Sequence, residues 1–130
     1  MIATIDIADL GATRTLRTLI RRPPRDVPGL RWAQTALLTP LASRRPPSLR
    51  RTALIALWDD ETAAEQFRAD HLAGRRFAHG FHATLRPLRA FGTWPGLPAD
   101  LPSSRSVDYE GPVVVITLGR LRPSQLIRFL

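Results

Sequence analysis

The sequence predicts an α+β chain of the ferredoxin-like kind, an antiparallel sheet with helices on one face. Three observations predict it. Residues 54–71, LIALWDDETAAEQFRADH, run from an apolar strand straight into an amphipathic helix. The opening, residues 2–20, has the same grammar of strand, short turn and helix. Two further apolar stretches, residues 30–38 and 81–91, are short and extended in character, so the sheet has material for four strands.

The central stretch is the best defined. Residues 53–58 are an apolar run of strand length, and Asp59 and Asp60 follow it. Either aspartate can cap a helix, because its carboxylate accepts from the first free N–H groups and suits the positive end of the dipole. Ala63, Ala64 and Phe67 then fall on one helical face, opposite Glu65, Gln66 and Arg68, and the helix ends at Asp70-His71, near Gly74.

At the start of the chain, Ile2, Ile5 and Ile7 mark a strand. Gly11-Ala12-Thr13 turns into a helix with Thr13 as the expected N-cap. Leu16, Leu19 and Ile20 are its expected buried stripe, Arg14, Arg17 and Arg21 its wet side, and Pro23-Pro24 its stop. Residues 30–38 are expected to pair back on this first strand. Residues 40–52, PLASRRPPSLRRT, have the composition of a surface loop. In FHATLRPLRAF, residues 81–91, Phe81, Ala83 and Leu85 alternate with His82, Thr84 and Arg86, and Pro87 implies a bulge or an edge strand. Residues 92–112 hold four prolines and read as a connector.

The run VVVITLGRLRPSQLIRFL, residues 113–130, restarts the opening pattern, with Ser124 in the place of Thr13. Two readings compete: the start of a second tandem copy, or a terminal strand that pads the first sheet. The first is the expectation carried forward. It divides the chain into a repeat over residues 1–110, with its connector at 92–112, and the start of a truncated second repeat at 113–130.

Composition narrows the function. The 130 residues carry a net charge of +8, and all nineteen basic residues are arginine. The charge is uneven: ten arginines against three aspartates over residues 1–57, one against five acids over 58–70, and eight against three acids over 71–130. No aromatic-plus-basic platform for stacking bases is visible, so nucleic acid is not the expected partner. Contact with an anionic membrane surface stays open as a peripheral interaction. There is no cysteine, hence no disulfide and no thiolate ligand. No apolar run approaches the roughly 20 residues of a membrane span, and the N-terminus lacks the basic region of a signal peptide. A cytoplasmic location is the expectation.

With those residues in view, a family resemblance emerges. Trp58 with Asp59 or Asp60, Phe67, His71, His82, Arg86-Pro87-Leu88-Arg89 and Gly92-Thr93-Trp94 resemble the spheroidene monooxygenase family of carotenoid-modifying enzymes, within the antibiotic-biosynthesis-monooxygenase type of dimeric α+β barrel. Members are longer, with a second ferredoxin-like repeat beyond the point where this chain ends. The resemblance implies a monooxygenase that inserts oxygen into an apolar, carotenoid-like small molecule, with molecular oxygen as co-substrate and haem as cofactor. It also implies a homodimer, or pairing with a second repeat in the same chain.

Under that resemblance His82 is the first choice for the haem iron and His71 the second. Arg86 is placed to polarise bound oxygen or, with Arg89, to meet a propionate. Trp32, Trp58, Phe67 and Trp94 would line the substrate pocket. Each has a plainer reading. A histidine at a helix end often serves as a cap, as Asp59 and Asp60 do, and tryptophans are more often core than site. The alternative for the whole chain is a non-catalytic barrel domain that binds a small apolar ligand or mediates assembly.

Overall fold

The structure, a computed structural model, describes residues 1–38 and 48–120. In chain order its elements are β1 (Ile2–Asp9), α1 (Ala12–Ile20), β2 (Leu30–Leu37), β3 (Arg51–Trp58), α2 (Glu61–Asp70), α3 (Leu72–Arg75) and β4 (Phe81–Leu85). The strands form one sheet in the order β2-β3-β1-β4, and every neighbouring pair is antiparallel. Each long helix carries the chain past one strand, α1 from β1 to β2 and α2 from β3 to β4. The fold is α+β and ferredoxin-like, as expected.

One pairing differs from expectation. β2 pairs with β3, not with β1. The α1 crossover sets β2 down two places away from β1, and β3 fills the gap, with Ile5 opposite Ile55. β3 is therefore covered on both faces, which explains why its apolar residues are continuous rather than alternating. Leu54, Ala56 and Trp58 look toward the helices, and Ile55 and Leu57 toward the opposite side.

On the helix face, Asp60 caps α2 by accepting from the Ala63 N–H at 2.9 Å. Ala64 and Phe67 are the buried side of that helix, and the Phe67 ring lies 5.1 Å from that of Trp58. The turn ahead of β2 runs beneath α2. Gly29 there has φ of +74°, and a Cβ on it would press into Ala63. Its carbonyl accepts from the Asp59 N–H at 2.9 Å.

The first helix departs from the sequence reading twice. Its cap is not Thr13. The chain turns at Gly11, with φ of +75°, and the Asp9 carboxylate accepts from the Gly11 N–H at 3.0 Å. Nor is its buried side the leucine stripe: Leu16 is 59 % exposed and Ile20 75 %, while Thr15 is 1 % exposed. Hydroxyls draw this side of the helix down. Thr15 Oγ1 donates to the Arg50 carbonyl at 3.0 Å, Thr52 Oγ1 to Thr15 Oγ1 at 2.9 Å, and Thr35 Oγ1 to the Thr18 carbonyl at 3.4 Å. Small polar side chains let the helix lie close to the sheet, which a leucine stripe would not.

β4 stops at Leu85, earlier than the apolar pattern implied, because Pro87 has no N–H to extend the ladder. It is an edge strand. The other face of the sheet is where the connector goes. Trp94, Leu97, Leu101 and Leu118 pack on Ala3, Trp32, Ile55 and Leu57. Residues 94–101, together with Leu118, thus form a strap across the sheet, while residues 102–117 are exposed. Trp32 Nε1 donates to the Pro95 carbonyl and Trp94 Nε1 to Gln34 Oε1, both at 3.1 Å, and Arg31 pairs with Asp100 at 2.9 Å.

Residues 113–118 have strand-forming side chains but carry no ladder here. Val113, Val114 and Val115 are exposed, and only Leu118 reaches the sheet. A strand needs an edge to pair with, and this run meets none among the described residues. The expected cap Ser124 and the helix after it, like most of the loop at 40–52, lie outside the described residues. Among the described residues no helix is long and apolar enough to cross a membrane.

Candidate functional site

Two features stand out on the helix face. The first is a polar cluster on β1. Asp6 points from a central strand into the layer between sheet and helices, and is 5 % exposed. Arg68 Nε of α2 donates to its Oδ1 at 3.1 Å, and His82 Nδ1 of β4 meets the same oxygen at 2.6 Å. His82 lies opposite Asp6 in the β1–β4 register, which is why the two meet. The cluster ties strand, helix and edge strand together through one buried carboxylate. Nothing in the sequence reading singled out Asp6 or Arg68. The available signal was an acid in the middle of the apolar strand IATIDIAD, at a position whose neighbours alternate.

The second feature is a groove of about 240 Å³ between the end of α1 and the α2–α3 corner, open to solvent on one side. Leu54 of β3 and Phe77 form its buried apolar floor, with Thr35 and Thr18 along one wall. Ala73 and His71 make the other wall. His71 caps α3: its Nδ1 accepts from the Ala73 N–H at 3.1 Å, and its ring stacks on Phe67 at 4.8 Å. With Nδ1 accepting, the neutral ring carries its proton on Nε2 and presents a donor there.

The structure spreads the other residues singled out by the sequence over both faces. Trp58 and Phe67 are neighbours in the helix-face core, and Trp58 Nε1 donates to Thr4 Oγ1 at 2.9 Å. Trp32 and Trp94 lie on the opposite face beneath the strap. The four aromatic residues therefore do not line one pocket. Arg86 sits over the Tyr109 ring at 5.6 Å, and Arg89 over Phe91 at 5.6 Å with its guanidinium donating to the Arg105 carbonyl. Both serve the strap side of β4 in this arrangement. Asp59 lies 3.7 Å from Arg31.

Of the two haem-ligand candidates, neither His82 nor His71 holds a ring nitrogen with its lone pair free, as an axial ligand needs. His82 has Nδ1 against the Asp6 carboxylate and Nε2 against the Ala78 carbonyl at 3.3 Å, so neither nitrogen offers a lone pair to an open space. His71 keeps its lone pair on the nitrogen that caps α3. His79 is exposed on the turn before β4. Among the described residues, no three His, Asp or Glu side chains converge as a metal site.

The chain has a measurable relative. Over 87 residues it is 38 % identical to a protein named spheroidene monooxygenase from Rubrivivax gelatinosus. The alignment covers 64 % of this chain and 33 % of that protein, so the chain spans about a third of the length of the curated relative it matches. The likeness is that of a distant relative, and it supports the resemblance read from the sequence. No family profile matches the chain, and no solved structure matches it.

Proposed function

We propose that this chain is part of a monooxygenase that acts on an apolar, carotenoid-like molecule, with the groove between α1 and the α2–α3 corner receiving one end of the substrate. The observation that carries the reading is the 38 % identity to a spheroidene monooxygenase over 87 residues. The groove supports it: its floor is apolar, and His71 offers a hydrogen-bond donor at its wall. At about 240 Å³ the groove is smaller than the roughly 300–1,000 Å³ pockets that enclose a whole small ligand, so it takes the terminus of a long one.

The chain's own residues bind and orient that terminus and keep water from the Leu54–Phe77 floor. Monooxygenation consumes dioxygen, two electrons and two protons, with one oxygen atom entering the substrate and the other leaving as water, so a reductant must be supplied. No step is assigned to haem. The test is incubation of the purified enzyme that contains this chain with spheroidene, a reductant and isotopically labelled dioxygen. The label is expected in the product; its absence, from a folded enzyme, contradicts the reading.

A second reading has its own support. His82 is fully engaged with Asp6 and Ala78, as a purely structural histidine would be. A non-catalytic domain that binds an apolar ligand in the same groove would show saturable binding and no dioxygen uptake.

A further inference from the structure

We propose that the groove between α1 and α3 selects an amphipathic anion, a molecule whose apolar tail enters over Leu54 and Phe77 and whose carboxylate or phosphate end is held by Arg21, Arg22 and Arg76. This rests on the reading of the groove as a ligand site and goes beyond the proposed substrate class, because it names a ligand with an anionic end, which a neutral carotenoid lacks. The three arginines line the groove from its two sides, Arg21 and Arg22 just beyond α1 and Arg76 just beyond α3.

Their common place around one apolar groove sets them apart. Arg31 has Asp59 and Asp100 as carboxylate partners, Arg50 has Asp9, and Arg68 has Asp6. None of Arg21, Arg22 and Arg76 forms a salt bridge among the described residues. A single cation at a helix C-terminus is ordinary, because the dipole favours it. Three from two helix ends around one apolar groove gather positive charge that an anion in the groove would neutralise. Guanidinium groups suit that task, since their planar N–H forks pair two-to-two with carboxylate or phosphate oxygens.

The tail follows from the lining. Leu54 and Phe77 are buried beneath the groove, Ala73 is half-buried in its wall, and Leu72 stands exposed at its lip. An inorganic anion alone would leave that apolar floor wet, and a plain hydrocarbon would leave the three cations unpaired. A molecule with both ends satisfies both.

The experiment is calorimetric titration of the chain with dodecanoate, dodecyl phosphate and dodecanol, without dioxygen or reductant. Vesicles of zwitterionic lipid, with and without an anionic lipid, form a further arm. Dodecanoate or dodecyl phosphate is expected to bind saturably, with dodecanol weaker by about tenfold or more, the scale of a charge-assisted hydrogen bond. Which of the two binds tighter tells whether the head group is a carboxylate or a phosphate. The triple variant Arg21→Gln, Arg22→Gln, Arg76→Gln, at exposed positions and checked for an unchanged melt, should lose that preference. Ala73→Phe, which fills the groove, should weaken both anions.

Equal binding of the alcohol and the anions overturns the proposal, as does an undiminished preference in the triple variant. Binding to anionic vesicles with none of the monomeric amphiphiles overturns it in favour of a membrane surface. Selective anion binding without oxygenated product retains this inference and refutes only the oxygenase reading. Oxygenation of a neutral carotenoid without anion selectivity does the reverse.

Discussion

The two faces of the sheet are closed by different means. On one face, helices α1 and α2 lie over β3 and β1 through a core of Leu54, Ala56, Trp58 and Phe67. Buried polar contacts run along it: the threonine hydroxyls under α1, Trp58 on Thr4, and Arg68 and His82 on Asp6. On the other face a strap without regular structure lies over Trp32 and Leu57, held by two indole N–H groups and one ion pair. The helix face has room left between its elements, and the open groove is there. The strapped face spends its tryptophans on closing itself. The difference teaches that on this chain the large aromatic residues close the core, while the open groove lies among small side chains and exposed arginines.

The comparison can be broken most severely at Trp58. Trp58→Ala removes a side chain that is 1 % exposed, and such losses cost about 3–5 kcal/mol. Urea unfolding should show a large loss of stability or no folded protein at all. Asp6→Ala comes next. It leaves Arg68 and His82 without their shared carboxylate, and because both are about a quarter exposed in their side chains the cost is about 2 kcal/mol, below that of fully buried pairs. The same melt measures it, and a wild-type midpoint would mean that the cluster holds nothing together.

The strap should respond differently. Trp94→Ala loses a half-buried ring and its bond to Gln34, a change of about 1 kcal/mol. Its sharper signature is local: limited proteolysis should speed up within residues 86–105 while the helices stay protected. Uniform loss of protection would show that the two faces are one cooperative unit. On the helix face again, Asp60→Ala removes the α2 cap for about 1 kcal/mol, seen in the denaturation midpoint.

The smallest effect is one of pH. The Asp9 carboxyl is held below its ordinary range, first by the Gly11 N–H that donates to it and then by Arg50. Its folded value is depressed, so its contribution is complete above the unfolded value of about 4 and fades as pH falls through the folded one. The midpoint difference between the wild type and Asp9→Asn should therefore shrink on acidification and stay flat near neutrality. A difference that grows in acid would contradict the assignment.

Much of the fold was legible because it is local. The strand-to-helix passage at residues 53–70 declares itself through an apolar run, an aspartate cap and a helical stripe, and the structure places β3, Asp60 and Phe67 accordingly. What escaped depends on register and on distant partners. The valines at 113–115 have strand propensity, but no nearby residue says whether an edge awaits them. Leu16 and Ile20 look buried until Thr52 and Thr35 are known to lie beneath α1. Trp32 and Trp58 point to opposite faces, which depends on the pairing of β2 with β3 and on a register shift between Leu30 and Trp32. The groove draws on residues 18 to 77 and could not be read from any one segment. Histidine roles escaped for the same reason: only the β1–β4 register brings His82 to Asp6.

The most direct test of the division between the faces is an amide-shift titration of the isotopically labelled chain with dodecanoate. Saturating shifts are expected to be confined to the end of α1, Arg21, Arg22 and residues 71–77, with the signals of Trp32, Trp94 and Leu97 unmoved. Shifts centred on the strap, or none that saturate, would contradict it.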